Sequence, residues 1–352
     1  MTAENWLYLI IGLVIFNYLF STVLDFINGK NWRTEIPPVM KDYYDEDKYL
    51  KAKNYSKEKG KVSLISSTLS TLITLLFLIF NGYGWIDNFI SIYYDIPFLK
   101  SGIFFLVLFI LSDFISSPFS CYNTFVIEEK YGFNKTTVKT FVLDKIKGYL
   151  LTLIIGGILL LGAIYIVSLL ENGFWFWIWI SLSVIMLLVN MFYADLIVPI
   201  FNKLTPLEAG SLRKKIESYT KKVGYSLKNI YIIDGSKRSS KANAFFSGLG
   251  PRKTIALYDT LVEKHTEEEL VAVLAHEVGH YKKKHVFTSL FLTISQLGLM
   301  CFLLEICLKV GEISQALGGK EMVFHLGLVA FGILYSPIGT ILSITMNINS
   351  RK

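Results

Sequence analysis

His276, Glu277, Val278, Gly279 and His280 form the one pentapeptide in this chain whose residue types and spacing could do chemistry. On an α-helix, residues four apart share a face, so two imidazoles spaced H-x-x-x-H can reach one metal ion. Glu277 projects from nearly the same side, where it can hold and deprotonate a metal-bound water. The motif therefore predicts zinc bound by His276 and His280, with Glu277 as general base. Thr266 with Glu269 reads as a capping box, and Glu267 and Glu268 favour the same helix start. Leu270, Val271, Val273, Leu274 and Val278 give that helix an apolar body. His285 lies nine residues after His276 and turns away from the ligand face. His265, before the helix, and His325, in an apolar run, read as structural.

The elements around the motif come in two kinds. Of the 352 residues, 53% are hydrophobic, mean hydropathy is +0.47, and the excess gathers in blocks long enough to cross a bilayer, which takes about 20 residues each. Seven spans are predicted, near 6–27, 62–80, 102–120, 149–170, 174–200, 286–308 and 323–346. The first lacks the basic start and cleavage site of a signal peptide. All Lys and Arg except Lys100, Lys309 and Lys320 fall after spans one, three and five or at the C-terminus. The positive-inside rule then places those segments in the cytoplasm and the N-terminus outside. Trp175, Trp177 and Trp179 open span five, as an outer aromatic belt would. The net charge of +7 is thus topological, with anionic lipid as its natural partner. No nucleic-acid motif accompanies it. Cys121, Cys301 and Cys307 have no metal spacing and suggest no disulfide framework.

The second kind is the block 202–285, read as a small cytoplasmic α+β insert. A helix is predicted over 212–223 and strands over 229–234, 243–246 and 253–257, with Gly248 and Gly250 as breaks. Asn243 and Ala244 are candidates for a sheet edge that holds substrate as an added strand; the alternative is a hairpin that only buttresses the helix. Asn17, Asp113, Asn190 and Asp195 are polar positions in or near spans, facing water or a partner, or snorkelling from span ends. The predicted fold class is a mainly α membrane protein with a zinc-metalloprotease insert. It divides into 1–201, spans one to five, and 202–352, the metalloprotease region with spans six and seven.

Several runs together resemble one family: E-E-K-Y-G-F-N-K-T-T (128–137), P-I-F-N-K-L-T-P-L (199–207), G-S-K-R-S-S-K-A-N-A-F-F-S-G (235–248) and H-E-V-G-H-Y-K-K-K-H (276–285). The chain is similar over nearly its whole length to the type I CAAX prenyl endopeptidases, integral-membrane zinc metalloproteases. The resemblance implies seven membrane helices around a chamber, a zinc cofactor, and removal of the C-terminal tripeptide from prenylated C-a-a-X proteins. It also implies that Asn243 and Ala244 pair with substrate backbone. The expected partners are membrane lipid and a lipidated or membrane-associated peptide. Oligomeric state, and the choice between a bacterial plasma membrane and an endoplasmic reticulum, stay open.

The family draws its third zinc ligand from a Glu in a motif resembling S-R-x-x-E-[FY]-x-A-D beyond span seven. Here the sequence reads Asn349, Ser350, Arg351, Lys352. The expectation is a C-terminally truncated copy with weakened zinc binding, since Glu305, Glu312 and Glu321 are poorly placed as substitutes. The alternatives are an inactive, chamber-forming protein that binds lipidated peptides, or a seven-span transporter or receptor.

Overall fold

The computed structural model describes every residue except 34, 37, 39, 40, 43, 44, 226, 228, 248–252, 284, 351 and 352. It describes the backbone alone at Glu277, His280, Tyr281, Lys282, His285, Val286, Asn349 and Ser350. Gly248, Gly250, Arg351 and Lys352, which the sequence reading used, therefore lie outside the described residues. Five long helices come first: α1 (Ala3–Lys30), α2 (Glu46–Ile79), α4 (Pro97–Tyr122), α5 (Val138–Leu169) and α6 (Phe174–Phe192), with a short α3 (Gly82–Tyr93) between the second and third. Two of them run on through π-helical turns, α4 into Asn123–Glu128 and α6 into Tyr193–Ile197; the latter leads to α7 (Val198–Phe201). A compact stretch follows: β1 (Leu204–Pro206), α8 (Ser211–Lys222), β2 (Asn229–Ile233), β3 (Ala244–Ser247), β4 (Thr254–Tyr258), α9 (Asp259–Lys264) and α10 (Glu267–Lys282). The chain closes with α11 (His285–Leu308), the short α12 (Gly311–Ala316) and α13 (Phe324–Ser350).

Seven helices among the described residues are long and apolar enough to cross a membrane, at the seven predicted places. Their bounds differ from the predicted ones where polar residues continue the helix. α2 starts sixteen residues before the predicted span at 62, because the Asp45 side chain caps the N–H groups of Asp47 (2.8 Å) and Lys48 (3.2 Å). The Lys- and Glu-rich stretch behind that cap has good helix propensity. Beyond the expected elements the structure has α3, α12, β1, α9 and the π-helical turns. They are short, or lie in connections or inside apolar runs, where periodicity is silent.

Contacts divide the chain into two compact units. The first comprises Met1–Tyr131, Leu160–Trp175 and Leu299–Thr345. Within it a few polar ties link helices whose flanks are apolar. Asn17 of α1 donates to Ser336 of α13, and Tyr18 shares a hydrogen bond with Thr68 of α2 at 2.7 Å. His325, fully buried, lies between Asp87 of α3 (2.9 Å) and Ser101 of α4 (3.0 Å), its ring against Phe104. Glu305 of α11 accepts the N–H groups of Gly173 and Trp175, both at 2.9 Å, and pairs with Lys309 at 2.6 Å. A carboxylate on the free N–H groups at the start of α6 is a helix cap supplied from another helix.

The second unit comprises Gly132–Leu159, Phe176–Gly298 and Met346–Lys352. Among the described residues it contains a four-stranded sheet ordered β1-β2-β4-β3, with β2 and β4 parallel and the outer strands antiparallel to their neighbours. The predicted α+β insert is thus present, its strands within about one residue of the expected bounds. Ile216, Ile230, Ile255, Leu257, Leu270 and Leu274 join α8, the sheet and α10 in one core. β4 is buried along Thr254–Leu257, as a central strand should be.

Candidate active site

α10 carries the H-E-x-x-H motif, and its orientation follows from its own sequence. The capping box forms as expected: Thr266 N–H donates to Glu269 Oε2 (2.9 Å), and Glu269 N–H donates to Thr266 Oγ1 (3.3 Å). Lys215 of α8 pairs with Glu267 at 2.7 Å and Glu268 at 2.6 Å. Hydrogen bonding to that ammonium holds both carboxyls below the ordinary glutamate range and raises the Lys215 pKa. The Thr266 backbone N–H does the same for Glu269. Leu270, Leu274 and Val278 then recur every fourth residue, all buried, and the first two fix this stripe of the helix in the core. At about 100° per residue, positions 276 and 280 fall on the opposite side from that stripe. His276 is exposed there. The backbone puts His280 one turn further along the same face and Glu277 on the adjoining strip.

The side chains of Glu277 and His280 lie outside the described residues, so the structure fixes these two positions by backbone alone. Two imidazoles four residues apart on a regular helix fit zinc in donor chemistry and reach. Among the described residues no three His, Cys, Asp or Glu side chains converge to hold a metal. Glu305, weighed from the sequence as a substitute ligand, instead has both carboxylate oxygens engaged at the start of α6. His265 approaches Glu269 at 3.5 Å and His325 belongs to the buried tie described above, so both histidines have structural partners. The side chain of His285 also lies outside the described residues.

Asn243 and Ala244 lie at the start of β3, which is an edge of the sheet. Asn243 O accepts from Tyr258 N–H at 3.0 Å, which begins the ladder with β4. Alternation along an antiparallel pair then turns the N–H and C=O of Ala244 and Phe246 to the open side. The Asn243 side-chain oxygen takes the Ala244 N–H at 2.9 Å. Ala244 and Phe246 pack on the core, while the Phe245 ring meets Tyr193 edge-on at 6.1 Å on the other face.

Two residues that the sequence reading did not single out join this region. Arg238 forks onto Asp144 of α5, Nε to Oδ2 at 2.7 Å and Nη2 to Oδ1 at 2.8 Å, and Nη2 also reaches Phe201 O at 2.7 Å. The pair is ninety-four residues apart in sequence. The available signal was chemical: one acidic residue among the Lys and apolar residues of early α5, and one Arg in the G-S-K-R loop.

A multi-pass helical chain with a helix-borne metallopeptidase motif beside a small mixed sheet defines the class. The family description "CAAX prenyl protease N-terminal, five membrane helices" matches residues 25–203, and "Peptidase family M48" matches residues 206–350. CAAX prenyl protease 1 of Saccharomyces cerevisiae is 33% identical over 98% of this chain and 82% of its own length. The Homo sapiens CAAX prenyl protease 1 homolog is 29% identical over 95% of this chain and 81% of its length. The crystal structure of S. mikatae Ste24p superposes with a TM-score of 0.91 at 32% identity, covering 97% of this chain and 85% of that one. The chain therefore belongs to the CAAX prenyl protease 1 (Ste24) family of M48 peptidases, and is an integral multi-pass membrane protein with the Ste24p-like fold.

Proposed function

We propose that this protein is a membrane zinc metalloendopeptidase that removes the C-terminal tripeptide from prenylated C-a-a-X proteins. The observation that carries the reading is the orientation of α10, whose buried stripe turns the motif's histidine positions away from the core. His276 and His280 hold the metal through neutral imidazoles. When bound, zinc lowers the pKa of a coordinated water and polarises the scissile carbonyl. Glu277 takes the water proton and delivers it to the nitrogen of the leaving amine. The β3 edge aligns the substrate backbone, and an incoming carbonyl replaces the Asn243 side chain on the Ala244 N–H. The named activity of the yeast relative, 33% identical to this chain, supports the substrate class. The distribution of Lys and Arg supports a cytoplasmic position for the catalytic block. Residues 1–201 form the first membrane region and 202–352 the metalloprotease region.

Glu277→Gln tests the reading. The variant retains zinc and loses cleavage of an S-farnesylated C-a-a-X peptide by about 10²–10⁴-fold. Near-normal turnover would remove Glu277 from the role. His276→Ala loses bound zinc and activity together; unchanged zinc content in that variant would remove His276 from the ligand set.

A further inference from the structure

The segment that leads into β3 is tied down far more heavily than the sheet needs. No residue of 235–241 belongs to the apolar core, and Ala244 and Phe246 hold β3 to that core without it. Yet the segment is stitched on both sides. On one side, Arg238 O accepts from Lys135 N–H and Thr136 Oγ1, both at 3.0 Å, and Ser240 N–H donates to Phe133 O at 3.0 Å. On the other, Ser236 N–H donates to Asp259 at 2.8 Å, and Thr260 Oγ1 donates to Lys241 O at 2.9 Å. Gly235 lies so close to the Tyr258 ring that any Cβ there would collide with it.

Arg238 is the centre of this strap. Its bidentate pair with Asp144 fixes direction as well as distance, because the planar fork fits a carboxylate in one way. Its third contact, to Phe201 O, ties the strap to the end of α7. Nη1 is buried and has no partner among the described residues. A buried donor left unsatisfied costs stability, so an apolar anchor would hold the loop at lower cost. What the guanidinium adds is a fixed position, five residues ahead of Asn243.

We propose that Arg238, oriented by Asp144, is a positioning residue for substrate: it sets the open edge of β3 at a fixed place against α5, and so sets where the substrate backbone lies. This rests on β3 being the substrate edge. Arg238 touches no reacting atom; it acts through the strap on Ala244 and Phe246.

The test is residue-resolved hydrogen–deuterium exchange on the full chain, with and without an S-farnesylated C-a-a-X peptide, in wild type, Arg238→Gln, Arg238→Lys and Asp144→Asn. Without peptide, Arg238→Gln and Asp144→Asn speed exchange across 239–247 by about tenfold, and leave 254–258 and 267–278 as in wild type. Arg238→Lys, which keeps one charged contact, falls between. With peptide, the Ala244 and Phe246 amides become protected in wild type. The two disruptive variants need about tenfold more peptide for the same protection, while their zinc content is unchanged. If wild type shows peptide protection but Arg238→Gln leaves both the strap and the peptide requirement unaltered, the positioning role is wrong and the substrate-edge reading stands. Loosening that spreads equally into 254–258 and 267–278 makes Arg238 a general fold residue and overturns the proposal. If the peptide protects neither amide in wild type, the substrate-edge reading fails, and the positioning role with it.

Discussion

The block built from β1–β4, α8 and α10 and the long apolar helices use the same kinds of residue in opposite ways. In the block, Leu274 is 0% exposed and sits among aliphatic side chains from the sheet and α8. In α4, Phe114 is 79% exposed, on a helix apolar enough to cross a membrane. Burial of apolar area stabilises the block directly, whereas a lipid-facing side chain exchanges one apolar surrounding for another. Polar ties in the long helices, such as Asn17–Ser336, Asp87–His325–Ser101 and Glu305 on the start of α6, therefore carry specificity that the block obtains from packing. Recognition follows the same division. The proposed metal-binding positions and the proposed substrate edge stand on the block, where a packed core can hold them.

Four substitutions and one titration bear on this contrast, from the largest effect to the smallest. Leu274→Ala leaves a cavity beneath α10 and should cost about 2–5 kcal/mol of the block's stability, measured as protection of the α10 amides in exchange. Glu305→Ala leaves N–H groups at the start of α6 without their acceptor and removes the partner of Lys309; the expected loss is about 1–3 kcal/mol, read as a lower unfolding midpoint in detergent. Thr266→Ala removes half of the capping box and should cost about 1 kcal/mol, confined to the first turn of α10. Phe114→Ala should change stability in bilayers by less than about 0.5 kcal/mol. A Phe114→Ala loss as large as that of Leu274→Ala would break the comparison, by showing that Phe114 packs on protein.

The titration concerns the Lys215 clamp between α8 and α10. Glu267 and Glu268 have depressed folded pKa values, so their contribution is fully present above the ordinary glutamate value of 4.5 and is lost as pH falls through the folded values. Lys215 is shifted up, so its share persists at neutral pH and is lost only as pH rises through its folded value, above the ordinary 10.5. Protection factors in the first turn of α10, which remove the intrinsic pH dependence of exchange, should therefore stay flat from pH 5 to pH 9 and fall only below about pH 4.5. A fall in protection near pH 6 would mean that a group other than the Lys215 clamp holds this turn.

What the sequence settled by itself rests on local physics. The seven apolar runs follow from bilayer thickness, the Thr266–Glu269 cap from a four-residue hydrogen-bond pattern, and the shared face of His276 and His280 from helical pitch. The sequence also located α8, α10 and strands β2 to β4, because alternation and Gly or Pro breaks are local signals, but not the three-residue β1. Only the tertiary structure decided which strand is an edge. Order β1-β2-β4-β3 depends on pairings between segments separated by loops, and the strand sequences do not encode it. The same holds for Glu305 at the start of α6 and for Arg238 on Asp144. A polar side chain shows its chemistry in the sequence, but its partner is chosen by how the helices and sheet pack, over distances at which periodicity carries no information.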